Sequence, residues 1–324
     1  MSGKIGFLVT VMLLWLFSGC SGRESFSELS GDVWTTSYHI SYGSAQPIQD
    51  SIDRIFREID RSLSMFNDSS LICRVNRNDT SVRVDRMLRE IFGKSVAIYK
   101  ASGGAFDPTV GPLVDLWGFG RSSGTSSAMP SDEGIAEALG KVGLGRCHID
   151  SEGRLIKKSP ETRFDFSAIA KGYACDRIAA LFRRNNIRDF LIEIGGEIYA
   201  GGRNPEGEPW RIMIENPLDS SGITGNSSLK IVELSDRSIA TSGNYRRFRY
   251  NTGRKISHII DPKTGYPRSG DVISATVTAP DCMTADALAT ACMAMTADSA
   301  LRMLKRFPDV EGLIVTEKSI IRNE

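Results

Sequence analysis

Hydrophobic residues recur at helical spacing in two stretches of the chain. In the first stretch they stand three or four positions apart, at Ile48, Ile52, Ile55, Ile59 and Leu63. The second stretch has a similar spacing, with apolar residues at Met87, Leu88, Ile91, Phe92, Val96 and Tyr99. This period places apolar side chains on one face of a helix, so both stretches predict helices that pack against a core. Residues 168–184 and 281–305 predict two further helices.

Shorter apolar runs lie between and after the helices and predict β-strands. They cover residues 189–194, 210–215, 230–234, 272–279 and 312–316, and several of them end at Gly, Pro or Asp. Because helices and strands come in mixed rather than strictly alternating order, the pattern favours an α+β fold with mixed or antiparallel sheets. The Ser/Gly-rich segment 121–130 predicts a surface loop.

The first twenty residues have the pattern of an export signal. Lys4 precedes an apolar run over 5–17, which is followed by Ser18, Gly19 and Cys20. A bilayer-spanning helix needs about 20 apolar residues, so this run predicts a signal peptide that is removed rather than a membrane span. The string LFSGC resembles a bacterial lipobox, with Phe17 where leucine is usual, and predicts lipidation of Cys20. The alternative is an ordinary signal peptide in which Cys20 is incidental.

Three parts of the chain are therefore predicted. Residues 1–19 form a lipoprotein signal peptide, residues 20–32 a lipidated cysteine with a flexible tether, and residues 33–324 a single folded domain. The tether is predicted because 21–30 is polar and rich in Ser and Glu.

Composition excludes some classes of protein. The 324 residues are 41% hydrophobic and carry a formal net charge of +1, which is typical of a globular protein and gives no field to attract nucleic acids. The cysteines after Cys20 form an odd, scattered set without metal-binding spacing, and we expect inert thiols at Cys73, Cys147, Cys175, Cys282 and Cys292.

The segment DCMTADALATACMAM (281–295) contains a candidate metal site. Asp286 and Thr290 are four residues apart at the start of a predicted helix, so their side chains share one face. A carboxylate and a hydroxyl are hard oxygen ligands of the kind that Mg²⁺ takes together with water and phosphate oxygens. The alternative is an acidic residue near a helix N-terminus with a threonine that bonds back to the backbone.

The segment FDFSAIAKGYACD (164–176) predicts a turn that leads into a helix. Asp165 ends a strand-like run, and Lys171 is followed by Gly172. Backbone groups at such a junction can contact a phosphate or present a carbonyl to a cation, and Lys171 adds positive charge. The alternative is a solvated lysine on a helix.

Two glycine-containing segments, 103–120 and 192–202, let backbone approach a ligand closely. The first also carries Phe106, Trp117 and Phe119, which suit an apolar wall for a planar ring or, alternatively, ordinary core packing. In SHIIDPKTGYP (257–267), His258 is a candidate proton acceptor because the imidazole pKa lies near neutrality. The alternative is a hydrogen-bonded structural histidine.

Together these strings resemble the ApbE family of FAD:protein FMN transferases, and the resemblance runs from about Trp34 to Thr316. It implies a T-fold-like α+β architecture and an Mg²⁺-dependent enzyme that moves FMN from FAD to a threonine of an exported flavoprotein and releases AMP. It further implies a short Asp-x-x-(Ser/Thr)-Gly-Ala-Thr type motif on the acceptor. With the lipobox, it places the chain on the inner membrane, facing the periplasm.

The resemblance also implies roles for individual residues. The Mg²⁺ ligands would be Asp286, which is thereby also a catalytic residue, together with Thr290 and the backbone carbonyl of Ala168. His258 would be the base that activates the acceptor threonine. The predicted FAD contacts are Trp34, Phe66, Ala105, Phe106, Asp107, Asp165, Lys171 and Ile260. Asn76 would shape the pocket. Many family members carry Met-Gly-Thr where this chain has Trp34-Thr35-Thr36.

Two other functions stay open. The same site would act as an FAD pyrophosphatase if water replaced the threonine, giving FMN and AMP. An exported lipoprotein that binds and stores FAD without turnover is the alternative from a different class.

Overall fold

The computed structural model describes residues 25–120, 129–157, 159–218, 228–244, 248–251, 254–268 and 270–323. Within them the strands are β1 (Phe26–Val33), β2 (Thr36–Gly43), β3 (His148–Ile149), β4 (Leu155–Ile156), β5 (Phe190–Ile194), β6 (Glu197–Gly201), β7 (Trp210–Glu215), β8 (Ser228–Leu234), β9 (Arg237–Gly243), β10 (Phe248–Asn251), β11 (Arg254–Ser257), β12 (Val272–Ala279), β13 (Glu311–Thr316) and β14 (Ile320–Arg322). The helices are α1 (Gln49–Leu63), α2 (Leu71–Asn76), α3 (Arg86–Ala101), α4 (Gly111–Leu116), α5 (Asp132–Gly140), α6 (Ser167–Arg184), α7 (Cys282–Met293) and α8 (Ala297–Leu304), with a short 3-10 helix at Leu144–Arg146.

One sheet organises the fold. It has eight strands in the order β1-β2-β5-β6-β9-β12-β13-β14, and its neighbouring strands pair antiparallel. Three two-stranded ribbons, β3–β4, β7–β8 and β10–β11, complete the described strands. The architecture is α+β with antiparallel sheets and packed helices, which confirms the predicted fold class.

Strand register brings several chain segments to one edge of the large sheet, here the edge formed by the ends of its strands rather than by an outer strand. Ile194 pairs with Glu197 across the tight turn between β5 and β6. Ile198 pairs with Ile239, so β9 ends at the edge where β6 begins. Because Gly243 at the end of β9 pairs with Ser274, β12 begins at the same edge. The candidate site lies along this edge.

Helices α6 and α7 pack against each other and against the sheet. In α7 every residue from Ala285 to Ala289 is buried. A helix that is apolar and buried on most sides belongs to the interior of a protein. The two helices approach closely at Gly172, where a Cβ atom would lie 2.7 Å from the carbonyl carbon of Cys282 and 2.9 Å from the Cβ of Asp286.

The N-terminus of α7 is capped by two carboxylates of the chain itself. Asp281 accepts a hydrogen bond from the Thr284 amide at 2.9 Å, and Asp176 accepts from the amides of Cys282 and Met283 at 2.8 and 2.9 Å. Burial raises the pKa of Asp176 to about 7, although these two amides oppose the rise. The first amides of α7 are therefore engaged within the protein rather than facing a ligand.

A second, smaller apolar cluster joins α4 and α5 to the loop after β11. Its buried residues include Leu113, Trp117, Ile135 and Ile260. The Trp117 indole donates to the Gly265 carbonyl at 2.8 Å. This bond and the packing hold the 258–267 loop against the segment that follows Asp107.

The structure corrects two predictions about element boundaries. Residues 26–32 of the predicted tether belong to β1, because pairing with β2 buries Val33 and half-buries Leu29 despite the polar composition. The predicted helix over 281–305 is two helices, because α7 ends at Met293 and Thr296 caps α8 by accepting from the Ser299 amide.

Other predictions are confirmed or lie outside the described residues. α1, α3 and α6 form where helical periodicity predicts them, and β5, β7, β8, β12 and β13 lie on the predicted runs. The five cysteines within the described ranges are free thiols. No helix among the described residues has both the length and the apolar character that crossing a membrane requires. Cys20, the signal peptide and most of the 121–130 loop lie outside the described residues.

Candidate active site

Asp286 is at the centre of the candidate cation site. Its side chain lies on the second turn of α7 and is only 2% exposed. Its Oδ2 accepts a hydrogen bond from the Gly172 amide of α6 at 3.1 Å. Burial raises the pKa of this carboxyl, while the positive charge of Lys171 and the Gly172 amide oppose the rise. A buried carboxylate of this kind needs a cation or a proton as a partner.

Two further oxygen donors lie beside Asp286. Thr290 follows one turn later on the same face of α7, and its Oγ1 is 3.3 Å from Ser242 Oγ at the end of β9. Ala168 is four residues before Gly172 in α6, so helical geometry directs its carbonyl toward the amide that contacts Asp286. The helix pairing thus brings the three predicted ligands to one junction.

These donors fit Mg²⁺. A carboxylate, a hydroxyl and a carbonyl are hard oxygens, and protein sites for this ion often supply one or two carboxylates and leave the remaining positions to water and substrate phosphate. Within the described ranges no three His, Cys, Asp or Glu side chains cluster as a metal cage. The donor set therefore suits a cation that is shared with a phosphorylated substrate.

Lys171 and Glu197 form an ion pair next to Asp286, in which the glutamate is buried and the lysine is half-buried. Lys171 Nζ is 3.0 Å from Glu197 Oε1, and the glutamate side chain is 6% exposed. Burial lowers the pKa of Lys171, but the charges of Asp286 and Glu197 outweigh it and raise the pKa above its ordinary value. Burial and the charge of Asp286 raise the pKa of Glu197, and Lys171 opposes that rise. Lys171 is thus not the solvated lysine of the alternative interpretation.

The segment before α6 is tied to the glycine-containing segment 103–120. The Asp165 amide donates to the Pro108 carbonyl at 2.7 Å. The Asp165 carboxylate accepts from the Ser167 amide at 2.9 Å, at the start of α6. Asp165 is half-buried and three residues before Ala168, so it lies next to the cation site along the chain.

Asn76 clamps the same segment from the other side. Its Nδ2 donates to the Phe164 carbonyl at 2.9 Å, and its Oδ1 accepts from the Phe164 amide at 2.8 Å. One side chain thereby satisfies both backbone groups of a fully buried residue. The clamp fixes the backbone next to Asp165, and a role of Asn76 in shaping the pocket stays a prediction.

Replacing Asn76 by alanine is expected to lower the free energy of unfolding by about 2 kcal/mol, because two buried backbone groups lose their partners. For a chain of this size that loss lowers the melting temperature by roughly 3 °C. Thermal unfolding followed by circular dichroism measures it. Asn216→Ala is the control, since within the part of the chain that the structure describes that side chain accepts from the nearby Leu218 amide alone, at 3.1 Å. Equal melting of the two variants would show that the clamp contributes nothing.

The three residues of the Ala105–Asp107 stretch are buried. Phe106 is 3% exposed and belongs to the main core, so its ring is not a free wall for a ligand. The Asp107 carboxylate accepts from Thr109 Oγ1 at 2.6 Å and from the Leu144 amide at 3.1 Å. Burial raises its pKa, and these hydrogen bonds oppose the rise. Any contact with a ligand here must come chiefly from the backbone.

His258 and Ile260 lie in the loop after β11. The His258 ring is half-buried and meets Phe119 edge to face, with centroids 6.4 Å apart. Ile260 is 5% exposed within the small apolar cluster. Trp117 is buried in the same cluster, so of the three predicted wall aromatics only Phe119 is half-buried rather than buried.

Comparison with known proteins identifies the family of the chain. Residues 34–314 match the model of the ApbE family. The chain belongs to the ApbE family. A Vibrio cholerae protein named FAD:protein FMN transferase is 36% identical over 298 residues, which cover 89% of this chain and 87% of that protein. A Haemophilus influenzae protein of the same name is 32% identical over 320 residues, covering 94% and 91% of the two chains.

A solved structure shares the fold. The flavin transferase ApbE from Vibrio cholerae superposes with a TM-score of 0.82 at 34% identity, covering 92% of this chain and 96% of the other. The family resemblance predicted from sequence is therefore confirmed, together with its architecture.

The departure from the usual ApbE motif lies in the β1–β2 hairpin. Val33 pairs with Thr36, so Trp34 and Thr35 form the turn, and Trp34 has a φ of 54°. The Trp34 ring packs edge to face on Phe56 of α1, with centroids 5.7 Å apart. The indole is half-buried in this contact. Phe66, by contrast, is 66% exposed, and its contact with FAD stays a prediction.

Sequence reasoning missed Glu197 in this candidate site. In the segment 192–202 the sequence pattern pointed to the glycines and not to the carboxylate. Glu197 shares the inward face of β6 with Tyr199, and both are buried. A carboxylate at an inward position of a short apolar strand was the available signal, since such a residue is rarely buried without a partner.

Proposed function

We propose that this chain is an Mg²⁺-dependent FAD:protein FMN transferase. It would cleave FAD and attach the FMN half, through a phosphodiester bond, to a threonine of an exported flavoprotein. The observation that carries the proposal is the buried Asp286 carboxylate, joined to the Gly172 amide beside Lys171, in a chain that matches the ApbE family over 34–314. Related proteins that bear this activity as their name cover most of the chain.

One set of residues would bind the cation and another would bind FAD. Asp286, Thr290 and the Ala168 carbonyl would hold Mg²⁺, which when bound offsets negative charge on the phosphoryl oxygens. Lys171 adds a fixed positive charge at the same junction. Asp165 and the backbone of Ala105–Asp107 would position FAD, and the exposed Phe66 would cover the flavin.

Transfer requires one bond to form and one to break at the FMN-side phosphorus. The threonine hydroxyl oxygen forms the new P–O bond, and the bond to the AMP oxygen breaks, so AMP leaves with the electron pair. His258 would accept the hydroxyl proton, since a neutral imidazole is a suitable base near neutral pH. The edge contact with Phe119 limits how its ring can turn.

We further propose that the chain acts on the periplasmic face of the inner membrane, anchored through a lipidated Cys20. The lipobox-like string at 16–20 supports this location. Several acyl chains on one residue hold a protein at a membrane far better than one. The acceptor would be an exported redox subunit with an Asp-x-x-(Ser/Thr)-Gly-Ala-Thr type motif.

The deciding experiment is mass spectrometry of an acceptor domain with this motif after incubation with the chain, FAD and Mg²⁺. Released AMP is measured in the same samples. We expect the acceptor to gain one FMN, in step with AMP release, and EDTA to stop both. AMP and free FMN without acceptor modification would instead indicate a pyrophosphatase. Bound FAD without any AMP would indicate a storage protein.

A further inference from the structure

The Glu197 carboxylate has one oxygen that the fold leaves unused. Its Oε1 is paired with Lys171 Nζ at 3.0 Å. Its Oε2 is buried and has no hydrogen-bond partner among the residues that the structure describes. An unsatisfied buried carboxylate oxygen costs free energy, so its presence here calls for a compensating role.

The charges around this oxygen do not balance. Asp286 and Glu197 are buried carboxylates, and Lys171 is the cation whose charge acts on both of them. When all three groups are ionised, the cluster carries one negative charge in excess. In a buried space this excess favours the entry of a further cation next to Asp286.

The arrangement also determines which carboxylate pairs with Lys171. The 3.0 Å contact is with Glu197, whereas the described hydrogen bond of Asp286 comes from the neutral amide of Gly172. Without Glu197, Asp286 would be the one buried carboxylate among the described residues whose charge acts on the lysine. Asp286 would then be neutralised within the protein and would attract a metal ion less.

We propose that Glu197 is a positioning residue of the cation site: it keeps the Lys171 ammonium on its own carboxylate and thereby leaves the charge of Asp286 available to a divalent cation. This role rests on the proposed function, because it assumes that Asp286 binds Mg²⁺. Glu197 itself would not contact the metal. It acts through Lys171.

The test measures Mg²⁺ affinity in variants of the full chain, without FAD. Mg²⁺ is titrated and the melting temperature is followed at each concentration, with calorimetry as a second readout. Glu197→Gln keeps the size of the side chain and removes its charge. We expect it to weaken Mg²⁺ binding about 10- to 100-fold, the usual effect of losing a residue that supports a metal ligand.

The decisive variant adds Lys171→Met to Glu197→Gln. Removing the lysine charge frees Asp286 again, so we expect the double variant to recover most of the lost Mg²⁺ affinity. Lys171→Gln serves the same purpose if the methionine variant does not fold. A merely structural role for Glu197 predicts the opposite, because a second change in the cluster would then add damage.

Glu311→Gln is the matched control. It makes the same change of charge at an exposed position of β13, at the opposite edge of the sheet, and should leave Mg²⁺ affinity unchanged. Unchanged affinity in Glu197→Gln, or no recovery in the double variant, overturns the inference while the proposed function stands. If Mg²⁺ does not raise the melting temperature of the wild-type chain at all, the proposed cation site fails and the inference fails with it.

Discussion

Exchange of Asp286 for asparagine is expected to lower FMN transfer and AMP release together, by at least about 100-fold. The amide keeps the size of the side chain and can still accept from Gly172, but it lacks the charge that binds a divalent cation. Loss of about 3 kcal/mol of charge stabilisation slows a reaction by roughly two orders of magnitude. Acceptor mass and AMP are measured under the conditions that give full turnover with the wild-type chain.

Asp281→Asn is the control for this substitution. It makes the same chemical change five residues earlier, at the N-cap of α7, where the side chain accepts from the Thr284 amide. Asparagine caps helices about as well as aspartate, so stability and transfer should both stay close to wild type. Turnover by Asp286→Asn at the level of this control would remove Asp286 from the cation site.

Asp286→Asn should also leave the fold intact. The wild-type carboxylate raises the negative charge of a buried cluster in which Lys171 already pairs with Glu197. Removing that charge therefore relieves an electrostatic cost in the metal-free chain. An unchanged or raised melting temperature would separate loss of chemistry from loss of structure.

Periodicity predicted the elements whose buried face is apolar along the whole length. α1 and α3 are examples, because each presents an apolar stripe to the core and polar residues to solvent. The runs that became β5 and β12 were equally clear. These elements needed no knowledge of their partners, since burial of one face determines their pattern.

The missed strands are those whose polar residues are explained only by their neighbours. β1 contains two serines, two acidic residues and a glycine, yet it pairs with β2 over its full length. Its composition was typical of a tether, and the pairing that orders it comes from a strand that was not predicted either. β6 was not predicted for a similar reason, because glycines flank and end it and because it begins with Glu197.

The same distinction applies to the residues of the candidate site. Asp286 and Thr290 could be paired from sequence because both lie on one helix, where spacing determines the shared face. Glu197 meets Lys171 across 26 residues of chain, and Asn76 meets Phe164 across 88. Spacing carries no information about such contacts. For Phe106 and Trp117 the sequence left two roles open, a wall for a ligand or core packing. Their burial in the structure shows that they pack in the core.

Replacing Gly172 by alanine is expected to damage both stability and activity, although alanine is the better helix former. The added Cβ would meet the Cys282 carbonyl group and the Asp286 Cβ, and backbone atoms cannot rotate away as a flexible side chain would. Forcing packed elements apart costs about 1–3 kcal/mol, which exceeds the gain of about 1 kcal/mol from helix propensity in most of that range. We expect a lower melting temperature.

The loss of activity should exceed the loss of stability, because the displaced element carries Asp286. Moving α7 away from α6 separates its carboxylate from the Gly172 amide and from the Ala168 carbonyl. Displacements of about 1 Å in an active site can slow a reaction by roughly 100-fold. AMP release from the folded variant, at a temperature well below its melting point, measures this effect.

Gly93→Ala provides the matched comparison within the same chain. Gly93 is an exposed residue inside α3, and a Cβ there would have nothing within 4 Å. Its replacement should raise stability by about 0.5–1 kcal/mol through helix propensity alone and leave AMP release unchanged. If Gly172→Ala behaved like Gly93→Ala, the close contact of the two helices would not be what positions Asp286. If only Gly172→Ala loses activity, the absence of a side chain at position 172 is itself a requirement of the cation site.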